Sequence, residues 1–132
     1  MPGIFSRIVS GEIPCHKVAE SDQFLAFLDI NPLAKGHTLV IPKTEVDYIF
    51  DMDESLFKDC FSFAQKVGKA IHASIPCVKV GIAVIGLEVP HAHIHLVPLQ
   101  DLHDLEFSRP KLTLDQEELS AIAAAIRDKM VY

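Results

Sequence analysis

Residues 86–98 read Gly86-Leu87-Glu88-Val89-Pro90-His91-Ala92-His93-Ile94-His95-Leu96-Val97-Pro98, and no other stretch restricts the chain so tightly. Alternation with period two is a strand signal, because successive side chains of a strand point to opposite faces. His91, His93 and His95 therefore share one face, while Ala92, Ile94 and Leu96 share the other and can pack on a core. Residues two apart on a strand are about 6–7 Å apart, close enough for one imidazole to orient the next. Three imidazoles on one face repel each other when protonated and displace the β-branched side chains that fill a sheet face better. Two chemistries fit the triplet. A neutral imidazole can attack phosphorus or an acyl carbon while its neighbours hold the anion, or the imidazoles can bind a transition metal. The triplet alone leaves both open.

The rest of the chain narrows the frame. Its 132 residues suit one domain, predicted to span 1–132, and 49% hydrophobic residues make it globular. Formal net charge is −6 and no basic run occurs, so no nucleic-acid partner is expected. Cys15, Cys60 and Cys77 are odd in number and form no CxxC, which fits reduced thiols in a cytoplasmic protein better than a disulfide framework or a cysteine zinc site. The stretch from Met1 to Pro14 carries Arg7 and Glu12 and no long apolar core, unlike a signal peptide, and no apolar run is long enough for a membrane span.

In chain order, Ile4, Phe5 and Ile8 lie at one-turn spacing and predict a short amphipathic helix, ended by Gly11 and Pro14. His16–Glu20 and Gln23–Ile30 predict two strands joined by a polar turn. Asp29 follows the face of Phe27; before Asn31-Pro32 it suits stabilisation of a turn, or acceptance of hydrogen bonds from a ribose diol, with the turn favoured on local grounds. His37–Ile41 predicts a third strand, closed by Pro42. Acids at 51–54 open a helix whose apolar stripe runs through Leu56, Cys60, Phe61, Ala64, Val67 and Ile71, widened by Phe57 and Phe63, with Gly68 permitting close packing. The β-branched run Cys77–Ile85 predicts an interior strand, with a bend at Gly86. Residues 100–110 read as a polar loop. A final helix over about 113–130 presents Leu119, Ile122, Ala123, Ile126 and Met130, entered through Thr113–Gln116 or Asp115–Glu118 as a capping box. The fold class is α+β: an antiparallel sheet of about five strands, a long central helix and a C-terminal helix.

Taken together, these segments resemble the histidine triad (HIT) family, whose motif alternates three histidines with apolar residues and here stands unbroken as His91-Ala92-His93-Ile94-His95-Leu96-Val97. Ile4-Phe5 followed by Ile8-Val9-Ser10-Gly11-Glu12-Ile13-Pro14 is similar to the family's N-terminal helix. Phe24–Pro32 and Gly36–Lys43 are similar to its next two strands. The nearest branch is the Hint-like one of nucleoside phosphoramidases, in its bacterial form. The resemblance implies a HIT-like fold, a homodimer and a purine nucleotide substrate, with no cofactor. It makes His93 the nucleophile toward an α-phosphorus, with a nucleotidyl-histidine intermediate. It makes His95 a donor to a phosphate oxygen and His91 and His37 supporting groups. It gives Asp29 the ribose hydroxyls, against the local turn reading, and makes Phe5, Ile8, Phe27, Ile30, Leu39 and Val89 a base pocket.

The chain also departs from the family's pattern. Leu87 and Glu88 stand where a neutral polar residue is usual; Glu88, if ionised, would repel an anionic substrate, and if protonated could donate to the leaving group. The asparagine usual before Gly86 is missing, and Glu45 stands where many Hint-like chains have histidine. Three functions follow: an enzyme working through His93, a nucleotide-binding adaptor with little turnover, or a metal protein. The last is disfavoured because the histidine face shows no cysteine or carboxylate partners, so no metal is expected.

Overall fold

A computed structural model describes residues 2–132; Met1, the first residue of the predicted domain span, lies outside the described residues. The chain forms α1 (Ile4–Val9), β1 (Lys17–Glu20), β2 (Phe24–Leu28), β3 (Thr38–Pro42), α2 (Glu54–Ser74), β4 (Lys79–Ala83), β5 (Ile94–Leu99) and α3 (Gln116–Asp128), with 3-10 turns at Ile49–Asp51 and Leu102–Leu105. The strands make one five-stranded sheet in the order β1-β2-β3-β5-β4, antiparallel throughout. The predicted α+β class, the long central helix and the C-terminal helix are all present.

Strand alternation sorts the sheet into two faces. Phe24, Ala26, Leu28, Val40, Ile94 and Leu96 point into the main core, where they meet Cys60, Phe63, Ala64, Val67 and Ile71 of α2 and Leu119, Ala123 and Ile126 of α3. Phe24 stacks on Phe63 at 5.6 Å between ring centroids. On the opposite face Leu25, Phe27, Leu39 and Ile41 gather with Phe5 of α1 in a second, smaller cluster. Leu39 lies opposite His95 in the β3–β5 register. The smaller cluster is therefore where the histidines arrive.

Local signals set the element ends. Asp53 caps α2 by accepting from the Leu56 N–H at 2.8 Å, and Asp115 caps α3 by accepting from Glu118 N–H at 2.8 Å. The second of the two α3 entries is thus the one used. Gly11 and Gly86 both take positive φ, +85° and +72°, where the chain turns out of α1 and toward the histidines. The Glu45 carboxylate accepts from Gly3 N–H and Ser6 Oγ–H, each at 2.9 Å, and so ties the start of α1 to the segment after β3.

Four expectations need correction. The run Cys77–Ile85 does not make an interior strand: β4 pairs only with β5 and forms the sheet edge. Its apolar residues on both faces imitate an interior strand, yet Val78, Ile82 and Ile85 are exposed. The histidine strand begins only at Ile94, so His91 and His93 lie in the bent, irregular segment that leads into it. The polar loop after β5 contains a 3-10 turn, capped reciprocally by Asp101 and Asp104. Finally, Gly68 permits no close contact within the chain, since nothing lies within 4 Å of where its Cβ would be.

The 0% exposure of Ile126 makes α3 part of the main core. Ile126→Ala should lower the unfolding free energy by about 2–5 kcal/mol in denaturant titration. A loss below about 1 kcal/mol would mean that α3 is only loosely docked.

Candidate active site

A cavity of about 510 Å³ opens on the second sheet face. Phe5, Ile8, Phe27, Ile30, Leu39 and Val89 line it together with Asp29, His37, Glu88, His93 and His95. All the expected site residues thus converge except His91, whose ring is buried beneath. The elements responsible are α1, the β2–β3 turn, β3, and the lead-in to β5.

Each imidazole has a different partner, and the partners fix where the protons sit. His91 Nε2 lies 2.8 Å from Pro42 O, and His93 Nδ1 lies 2.7 Å from His91 O. A carbonyl oxygen only accepts, so both of those nitrogens carry hydrogen. A neutral His93 consequently keeps an unprotonated Nε2, the nucleophilic form of the ring. His91 Nδ1 is left buried without a hydrogen-bond partner among the described residues, beside the Phe5 ring. Phe5 also meets His93 edge-on, at 5.2 Å and 90°.

The second pair is His37 and His95. His37 Nε2 stands 2.9 Å from His95 Nδ1, and the Leu33 amide donates to His37 Nδ1 at 3.0 Å. Burial pushes the His37 ring down to about 3 and the His95 ring down to about 4. Both are neutral at physiological pH. Burial, countered by the Asn31 amide, raises the Asp29 carboxyl. Asp29 Oδ1 accepts from Asn31 N–H at 2.8 Å, while Oδ2 lies 3.7 Å from His37 Nε2. The local turn reading of Asp29 is therefore correct for one oxygen, and the other faces the site.

Asp29, His37 and His95 bring potential metal-ligand atoms within 4.8 Å of one another, the only such group among the described residues. The fold thus supplies, from the β2–β3 turn, a carboxylate that the histidine strand itself lacks. A metal does not fit there as the hydrogen bonds stand. To ligate through Nε2, a neutral His37 must carry its proton on Nδ1, and that proton would face the Leu33 N–H at 3.0 Å. The two imidazoles read better as a neutral hydrogen-bonded pair, with Asp29 Oδ2 beside them at 3.7 Å.

Two cavity residues had no part in the sequence reading. Phe107 packs edge-on to His95 at 4.7 Å and to His37 at 6.2 Å, and Lys111 lines the same mouth. They are brought back over the site by the turn after β5, where Arg109 bonds Asp104 at 2.9 Å and Leu112 N–H donates to Pro32 O at 2.8 Å. The Asp101–Asp104 cap was the available signal for that turn.

Comparison with known proteins agrees with this geometry. The HIT domain family matches residues 10–102. An uncharacterised HIT-like protein of Borreliella burgdorferi is 35% identical, covering 93% of this chain and 94% of its own. The adenosine 5'-monophosphoramidase hnt1 of Schizosaccharomyces pombe is 36% identical, covering 98% and 99%. The crystal structure of a zinc-bound histidine triad family protein from Mycobacterium smegmatis superposes with a TM-score of 0.83 at 29% identity, covering 98% and 93%. The histidine and aspartate cluster supports the general chemistry of a nucleotidyl-histidine hydrolase or transferase. With its motif, sheet and relatives in agreement, the chain belongs to the HIT family, close to its Hint-like branch.

Proposed function

We propose that this protein cleaves a purine nucleoside phosphoramidate, or a related nucleotide conjugate, at the α-phosphate. The observation that carries this reading is the His93 Nδ1–H···O bond to His91, at 2.7 Å, which leaves Nε2 as a free nucleophile in a cavity-lining ring. Nε2 attacks phosphorus, the phosphorus–nitrogen bond to the leaving group breaks, and the departing amine takes up a proton. Water then cleaves the nucleotidyl-histidine and regenerates the neutral ring. His95 donates to a phosphate oxygen as charge develops there. His91 orients the nucleophile through its carbonyl, and His37 supports His95. Asp29 accepts from the ribose hydroxyls with its outward oxygen. Phe5, Ile8, Phe27, Ile30, Leu39 and Val89 offer the base an apolar slot. The phosphoramidase name of the S. pombe relative favours this substrate class.

A second reading, a nucleotide-binding adaptor with little turnover, is favoured by the mouth of the cavity. Leu87 and Glu88 line it where a neutral polar group would best serve a phosphate.

Several wider features belong to the same proposal. Residues 1–132 act as one domain, with about 113–130 as its helical extension. It works as a cytoplasmic homodimer with neither nucleic acid nor membrane as partner; no described helix is long and apolar enough to cross a membrane. The free edge of β4, with Ile82 on the strand and Val78 and Ile85 beside its two ends exposed, supports the dimer. The adjoining groove is lined by Gln65, Gly68, Lys69 and His72 of α2. All three cysteines are free thiols, in keeping with a reducing compartment.

His93→Ala should abolish steady-state hydrolysis of an adenosine phosphoramidate while leaving the circular dichroism spectrum intact; wild-type turnover in that variant would sink the mechanism. In the same assay Glu88→Gln separates two roles: a rise marks Glu88 as an electrostatic brake, a fall as the proton donor. Ile82→Lys should shift sedimentation from dimer to monomer, and an unchanged sedimentation coefficient would remove β4 from the interface. The neutral His37–His95 pair has a thermodynamic signature too. Its folded pKa values of about 3 and about 4 lie below the ordinary 6.5. Between pH 6.5 and 5 the unfolded chain takes up protons that the folded chain refuses, so stability is full above pH 6.5 and falls below it. The limiting slope from two such groups is about 2.7 kcal/mol per pH unit. Denaturant titrations across that range should show the decline, and His37→Leu should make it shallower; a flat wild-type profile would mean the pair is not held neutral.

A further inference from the structure

We propose that the backbone amide of Leu33, acting through His37, dictates which nitrogen of His95 carries its proton, so that His95 presents Nε2–H to the cavity. An imidazole flanked by hydrogen-bond partners has no free choice of tautomer. The Leu33 N–H can only donate, so His37 Nδ1, at 3.0 Å, must accept and carries no hydrogen. The proton of the neutral His37 ring is then on Nε2. From there it points at His95 Nδ1, 2.9 Å away, which must accept in turn. The proton of the neutral His95 ring is left on Nε2. Two rings thus transmit the direction of one peptide group from the β2–β3 turn to β5.

The surroundings keep the chain of bonds in this order. His37 is 1% exposed and His95 8% exposed, and the Phe107 ring lies edge-on against both. Water therefore has little opportunity to offer either ring a competing proton. The turn itself is fixed by Asp29, which accepts from Asn31 N–H at 2.8 Å, and by Pro32, whose carbonyl accepts from Leu112 N–H at 2.8 Å. Leu33 and His37 are positioning residues here; the donor that meets substrate is His95. The inference rests on the reading above only for the use made of that donor, as the tautomer exists without substrate.

The test is long-range proton–nitrogen correlation NMR on the full chain with labelled histidine and leucine, without ligand. His95 should show hydrogen on Nε2 and a bare Nδ1, and nitrogen–nitrogen couplings should cross both the Leu33–His37 and His37–His95 bonds. His37→Leu should leave His95 a mixture of tautomers and lower kcat about tenfold or more with a smaller effect on KM. His37→Gln, whose side-chain amide can still donate to His95 Nδ1, should restore the single tautomer. A wild-type His95 protonated on Nδ1, or one that keeps its Nε2–H tautomer in His37→Leu, would overturn the relay. Either result leaves the role of His93 intact, whereas turnover that survives His93→Ala beside an intact relay would overturn the proposed function alone.

Discussion

The site depends on two imidazoles that meet nitrogen to nitrogen, at 2.9 Å, and are largely buried. A proton added to either would be charge in a poorly solvated place beside a second ring, and burial opposes that strongly. Neutrality turns the pair from a basic patch into a directional hydrogen-bond chain. The fold is arranged to keep it so. Leu39 faces His95 across β3 and β5, Phe107 covers both rings, and α1, tied down by Glu45, brings Phe5 against His91 and His93. The main core on the opposite sheet face gives this arrangement a rigid floor.

Three histidines of one motif thereby become three different groups. Their sequence environments are nearly the same, each flanked by apolar residues. What separates them is the partner each ring meets: the Pro42 carbonyl for His91, the His91 carbonyl for His93, and another imidazole for His95. Backbone oxygens put hydrogen on one nitrogen of the first two rings. A backbone amide, at one remove, governs the third.

Much of this is legible in the amino-acid sequence alone, where the signal is local. Period two assigned Ala92, Ile94 and Leu96 to the core and the histidines to the other side, and that division stands although β5 starts only at Ile94. The α2 stripe and the Asp115 cap are equally local. The misreadings occur where the answer lies across the chain. The composition of β4 shows that both its faces are apolar, but not that one of its edges lacks a neighbour. Phe107 is a lone aromatic in a polar stretch, and only the capped turn and the Arg109–Asp104 pair bring it back to His95. For Asp29, local reasoning and family resemblance gave rival roles. The carboxylate has two oxygens, and one is engaged in the turn while the other looks into the site.

A peptide N–H is supplied by nineteen of the twenty amino acids. If the proton on His95 is addressed by the amide of residue 33, the chemical information at that position resides in the main chain and not in the leucine. Exchanging Leu33 for another side chain would disturb packing, because Leu33 is buried, yet would leave the donor in place. Only proline would delete it. Position 33 could therefore drift widely among related chains and look dispensable, while the atom that matters there stays the same.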